Sequence, residues 1–150
     1  MEILEVLHYT EEDKRSLYES LLRGYERSGD KSVALAFYGN HITWKQFMHE
    51  VDCLAAALLS RNVKPGDAVT IFTPNIPQGV IAIYAANRIG AVANMVHPLS
   101  SQQEVLHAID LTGSKIVSPL NSMKNWSPTV TLRSSAVRPA DTSRETQSEL

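Results

Sequence analysis

Apolar residues along the chain switch between a helical period and short continuous runs, and the switching predicts an α/β order of elements. Leu17, Leu21, Leu22 and Tyr25 recur at helical spacing. Thr10 reads as the N-cap of that helix, followed by Glu11, Glu12 and Asp13, where the helix dipole favours negative charge. The helix is expected to end near Ser28 or Gly29. Residues 33–38 read as a strand, Gly39-Asn40 as a two-residue hairpin turn, and residues 41–43 as the return strand. Thr43-Trp44-Lys45-Gln46 is a capping box, and Phe47, Met48, Val51, Leu54, Ala55, Leu58 and Leu59 form the apolar face of the helix it opens.

Lys64-Pro65-Gly66-Asp67 breaks that helix off. Residues 68–73 are almost continuously apolar, which predicts a strand covered on both faces in a parallel sheet. Pro77 suits the first turn of the next helix, and Gly90 suits its C′ position. A second strand follows at 91–96. Ser101-Gln102-Gln103-Glu104 is another capping box, and Val105, Leu106, Ile109 and Leu111 follow at helical spacing up to Gly113. A third strand is expected over 115–118. Strand, helix, strand, helix, strand implies right-handed crossovers, and a simple consecutive order would place both helices on one face. The expected fold is therefore a partial parallel α/β sheet with flanking helices, a short N-terminal hairpin and a disordered C-terminal tail.

The tail expectation comes from composition. Residues 119–150 are rich in Ser, Thr, Pro and Arg, and neither a period of 2 nor one of 3.6 survives there. Val130, Leu132 and Val137 alternate with polar residues, but Pro128 and Pro139 flank them. Such a stretch buries too little to offset its ordering entropy. The expected division is a domain over 1–118 and a tail over 119–150.

Charge and composition remove several function classes. The 150 residues carry a net charge of −2, so no electrostatic footprint for nucleic acid is present. The single Cys53 excludes an internal disulfide and a Cys-based zinc cluster. The opening MEILEVLHYTEED is acidic where a signal peptide is basic, and no apolar run approaches the roughly 20 residues of a membrane helix, so a cytoplasmic location without a membrane span is expected.

Five short segments then matter through their order: ITWKQF (42–47), VKPGDAV (63–69), TPNIP (73–77), RIGAVANMVHPLS (88–100) and TGSKIV (112–117). Over residues 30–118 they resemble the front of the AMP-forming acyl-CoA synthetases, within the adenylate-forming ligase superfamily. Trp44 departs from the Tyr usual in the first of these motifs but keeps an aromatic ring. The resemblance implies a parent that activates a fatty or other carboxylic acid as an acyl-adenylate and passes it to coenzyme A, with ATP and Mg. It also implies a Ser/Thr/Gly-rich phosphate loop ending in Lys, an acidic segment and a catalytic Lys in a later domain. None of these is found in the chain, and residues 119–150 contain no Gly with which to build a phosphate cradle.

The individual candidates are accordingly weighed as structural. Thr112-Gly113-Ser114-Lys115 looks like a phosphate loop, but its order is helix, Gly, strand, whereas phosphate loops run strand, Gly, helix. His8, His41, His49, His97 and His107 show no metal-ligand spacing among themselves. His97 is the most suggestive, because it follows a parallel strand at the end where open α/β sheets form crevices. Cys53, beside Leu54 and Ala55, reads as a buried, inert thiol. No catalytic, cofactor-binding or metal-binding residue is assigned, and no cofactor is expected on this chain alone. One turn with a single Gly79 after residue 73 argues against a nicotinamide-dependent enzyme. Two readings stay open: an N-terminal piece of a truncated acid–CoA ligase, and a small non-catalytic α/β binding module. Uncovered apolar sheet surface leads to expected self-association, and a sharp monomer would instead favour the binding module.

Overall fold

The computed structural model describes residues 15–114, together with the backbone of residues 116–119 and 131–132. The elements are α1 (Leu17–Ser28), β1 (Val33–Phe37), β2 (Asn40–Thr43), α2 (Trp44–Ser60), β3 (Ala68–Phe72), α3 (Pro77–Arg88), β4 (Val92–Val96), α4 (Gln102–Thr112), β5 (Ile116–Pro119) and β6 (Thr131–Leu132). The first two strands form an antiparallel hairpin, and the rest form a sheet in the order β4-β3-β5-β6.

Local chemistry explains where most elements begin. Thr43 accepts from the Gln46 N–H while the Gln46 side chain accepts from the Thr43 N–H, and Ser101 and Glu104 repeat the arrangement at α4. A third capping box opens α1: Ser16 Oγ accepts from the Glu19 N–H, and Glu19 Oε2 accepts from the Ser16 N–H at 2.7 Å. The helix carrying Leu17 to Tyr25 therefore starts at Ser16. Thr10 and the acidic run after it lie outside the described residues.

The hairpin turn is displaced by one residue from Gly39-Asn40. Phe37 pairs with Asn40, which leaves Tyr38 and Gly39 as the central pair, with φ of 46° and 79°. A type I′ turn needs positive φ at both central positions, and here Tyr38 accepts the strained one while its ring stands exposed.

β3 lies between β4 and β5, both parallel to it: Ala68 to Phe72 register with Val92 to Val96, and Val69 to Phe72 with Ile116 to Pro119. The consecutive order is thus corrected. Chain leaving β3 moves to one neighbour, and chain leaving β4 crosses back past β3 to the other. Two right-handed crossovers of opposite direction put α3 and α4 on opposite faces, not on one. The side chains agree. Val69 and Ile71 face the cluster that includes Ile81, Ala82 and Ala85 of α3. Thr70 and Asn94, alternate in the strands, bond to the α4 side.

The core lies on the α3 face. Phe47, Val51, Leu54 and Leu58 of α2 pack against α3, and Val51, Ile71, Ala85 and Ala86 are fully enclosed. An aromatic chain runs Tyr25–Trp44–Phe47–Tyr84, with centroids 6.2, 6.1 and 5.8 Å apart, and joins α1, α2 and α3. Leu59, expected inside, is 54 % exposed because the inward stripe at residues 47, 51, 54, 55 and 58 passes it by. The α4 face is thinner: Ile109 is buried, while Leu106 and Leu111 are exposed.

The expected tail falls largely outside the described residues. Its described part includes β6, where Thr131 and Leu132 pair antiparallel with Val117 and Ile116. Composition did not anticipate this short ladder.

Candidate functional site at the carboxyl ends of β3 and β4

Open parallel sheets take ligands outside the carboxyl ends of their strands. β3 and β4 reach that edge of the sheet together. Their last residues, Phe72 and Val96, are register partners, so Thr73 and His97 follow at the same end of the sheet. From there one connection, residues 73–76, leads to α3, and the other, residues 97–101, leads to α4.

The first connection is held tightly. Thr73 is buried, and its hydroxyl donates to the Pro74 carbonyl at 3.3 Å. α3 begins with Pro77 at its first position, and no side chain caps Ile76. A Cβ on Gly79 would come within 2.9 Å of the Thr73 methyl, so the loop packs onto the helix only because residue 79 lacks a side chain.

His97 is exposed, and its Nδ1 accepts from the Leu99 N–H at 3.2 Å. That bond fixes the ring at the start of the second connection. The connection ends at the Ser101 capping box, where bonds from Ser101, backbone first, hold the Glu104 carboxyl below its ordinary range; His97 contributes a smaller electrostatic pull. His97 therefore occupies the position anticipated for it, directly after the carboxyl end of β4.

Beneath this end of the sheet, a polar network clips α4 to the strands. The Thr70 hydroxyl donates to Ser114 Oγ at 2.8 Å and accepts from Asn94 Nδ2 at 3.0 Å. Asn94 also reaches the Ala108 carbonyl and Thr112 Oγ1, and Thr112 and Ser114 share a 2.8 Å contact. Thr70 and Ser114 are almost fully enclosed. Of these four residues, Thr112 and Ser114 were weighed in the sequence only as part of a phosphate-loop look-alike, and Thr70 and Asn94 were passed over. Their signal was present: Thr70 and Asn94 interrupt two otherwise apolar strands at matching register positions.

At the opposite end the two turns dock. Gly66 N–H donates to the Gly90 carbonyl at 2.7 Å, Val92 N–H to the Asp67 carbonyl at 2.9 Å, and Lys64 N–H to Asp67 Oδ2 at 2.8 Å. KPGD and RIG are thus one structural unit that sets the β3–β4 register.

The other candidates resolve as follows. Gly113 terminates α4 in the left-handed conformation, which matches a helix end rather than a phosphate loop; Lys115 lies outside the described residues. His41, His49 and His107 are exposed and far apart along the chain, and His8 is outside the described residues. Cys53 is exposed, not buried: with 51, 54, 55 and 58 turned inward, positions 49, 52 and 53 face out. Among the described residues, no group of three or more His, Cys, Asp or Glu is placed to hold a metal ion, and no helix is long and apolar enough to cross a membrane. This end of the sheet offers a helix start without a side-chain cap and one imidazole. Its described residues supply neither a nucleophile–base pair nor a Gly-rich cradle.

Comparison with known proteins gives this geometry a context. The family described as AMP-binding enzyme matches residues 23–149. An acetyl-coenzyme A synthetase of Bradyrhizobium diazoefficiens is 40 % identical over 77 residues, covering 51 % of this chain and 12 % of that protein. The mitochondrial acyl-CoA synthetase short-chain family member 3 of Rattus norvegicus is 36 % identical over 76 residues, covering 51 % and 11 %. The chain therefore spans about an eighth of the length of such relatives. Among solved structures, the N-terminal subdomain of Klebsiella oxytoca NpsA in complex with anthranilyl-AMSN superposes with a TM-score of 0.63 at 25 % identity, over 69 % of this chain and 26 % of that one. The anthranilate CoA ligase AuaEII, in complex with anthranoyl-AMP, gives 0.65 at 18 % identity over 69 % and 20 %, a likeness of fold.

Proposed function

Because the chain belongs to the AMP-binding enzyme family, we propose that it is an N-terminal segment of an AMP-forming carboxylic acid–CoA ligase and is not catalytic by itself. The carrying observation is the family match over residues 23–149 in a chain that spans about an eighth of its synthetase relatives. The whole ligase would activate a fatty or other carboxylic acid as an acyl-adenylate using ATP and Mg, then transfer the acyl group to coenzyme A. Within it, this segment supplies the β4-β3-β5 sheet and His97 at its carboxyl end. The charge that develops on the transferring group needs donors and cations preorganised around it. No Gly-rich phosphate loop of the family occurs in these 150 residues.

In the same reading the protein is cytoplasmic, and a boundary near residue 118 separates the domain from a polar tail. Composition supports that boundary, while the β6 ladder at Thr131–Leu132 lies beyond it. Trypsin cutting first at Arg133 and Arg144 in the native chain supports the boundary; protection of both sites opposes it. Calorimetric titration with ATP and with a non-hydrolysable acyl-adenylate analogue tests the functional reading. No saturable heat is expected from the 150-residue chain. Micromolar binding of either ligand would overturn it.

The second reading, a non-catalytic interaction module, is favoured by one observation. Val92, Met95, Leu106 and Leu111 are each about half or more exposed, on strand β4 at the sheet edge and on α4. Apolar surface of this kind supports association of the chain with itself.

A further inference from the structure

We propose that His49 and Cys53, one turn apart on the outer face of α2, form a two-donor site for a soft divalent cation of the Zn²⁺/Cd²⁺ class. The two residues stand at i and i+4, the spacing that brings side chains together on one helix face. Cys53 Sγ lies 3.6 Å from His49 Nε2 and 4.0 Å from Nδ1. A tetrahedral ion with a metal–sulfur bond of about 2.3 Å and a metal–nitrogen bond of about 2.05 Å places its sulfur and nitrogen about 3.6 Å apart. The Sγ–Nε2 pair already has that separation, so a cation can bridge it with little side-chain movement. Both side chains are exposed and open to an incoming ion.

Charges of both signs surround the pair. Asp52, three residues after His49, carries a carboxylate on the same side of the helix. Its Oδ1 is held by Arg88 Nη1 at 3.1 Å, so it contributes charge while the chain's own donor set stays at two. Lys45 lies one turn before His49 and opposes binding. The two remaining coordination positions go to water. Binding deprotonates the thiol: the S–H bond breaks, a sulfur–metal bond forms, and one proton passes to buffer. Considering the histidines alone missed this site, because its second donor is the cysteine.

The test is a CdCl₂ titration of the reduced 150-residue chain, read by ultraviolet sulfur-to-metal charge-transfer absorption. Cys53 is the only cysteine in the chain, so the band reports this site alone. A saturating band at one Cd²⁺ per chain is expected, reversed by chelator. Cys53→Ser should abolish it, and His49→Ala should weaken the apparent affinity by about tenfold or more, a loss of about 1.4 kcal/mol. Neither side chain is part of the core, and matching circular dichroism spectra confirm that the variants fold. Absence of a saturable band in the parent chain would overturn the proposal. So would His49→Ala binding as tightly as the parent, since the thiol alone would then be the ligand.

Discussion

Replacing Thr70 by valine keeps the shape of a fully enclosed side chain and removes only its hydroxyl. In β3 that hydroxyl donates to Ser114 and accepts from Asn94, at 2.8 and 3.0 Å. Ser114 keeps Thr112 as a partner, and Asn94 keeps the Ala108 carbonyl and Thr112. A buried group that loses its only partner costs about 1–3 kcal/mol. With these alternatives, the loss should fall at about 1–2 kcal/mol. For a urea m-value of about 2 kcal/mol/M, the midpoint should drop by about 0.5–1 M with m unchanged. A double-mutant cycle with Ser114→Ala should give a coupling energy of at least about 0.5 kcal/mol, because the two side chains share a bond. A midpoint that is unchanged or raised in Thr70→Val would refute the claim that this network fastens α4 to the sheet.

Gly79→Ala places a Cβ 2.9 Å from the Thr73 methyl; overpacking of this kind costs about 1–3 kcal/mol, seen as a lower melting temperature, and an unchanged melt would show that the loop before α3 yields freely. Glu19 and Glu104 are held below the ordinary carboxylate range by bonds from Ser16 and Ser101, so folding favours their ionised forms. That stabilisation is complete above the unfolded carboxylate pKa and is lost as pH falls through the lower folded values. The Glu19→Gln/Glu104→Gln variant should therefore lose less stability on acidification than the parent, and parallel acid limbs would contradict this. Leu106→Lys/Leu111→Lys should reduce concentration-dependent association in sedimentation velocity; a parent chain that sediments as a monomer at all concentrations would remove the basis for it.

The elements legible in the sequence are those specified by local chemistry. Ser101 and Glu104 need only each other and three residues of backbone, and Pro77 and Gly90 bracket α3 in the same local way. Ser16 and Glu19 carried the same signal, but the acidic run after Thr10 drew the helix start away from them. The strand order was not legible. β3, β4 and β5 follow one another in sequence, and nothing in their own residues says which side of β3 the last one takes; that depends on which face α4 covers. In hindsight Thr70 and Asn94 mark a different kind of face from Val69 and Ile71. Cys53 was misplaced because its neighbours Leu54 and Ala55 are inward, while the helical period turns 49, 52 and 53 together to the outside. His97 was placed correctly because strand polarity alone fixes its end of the sheet.

The central claim, that the chain carries the family's fold without its catalysis, is tested most directly by ATP–pyrophosphate exchange. Pure 150-residue protein would be assayed with Mg and a panel of short, medium and aromatic carboxylic acids. No exchange above a no-enzyme control is predicted for any acid. Exchange that depends on one of those acids and rises in proportion to protein would contradict the account.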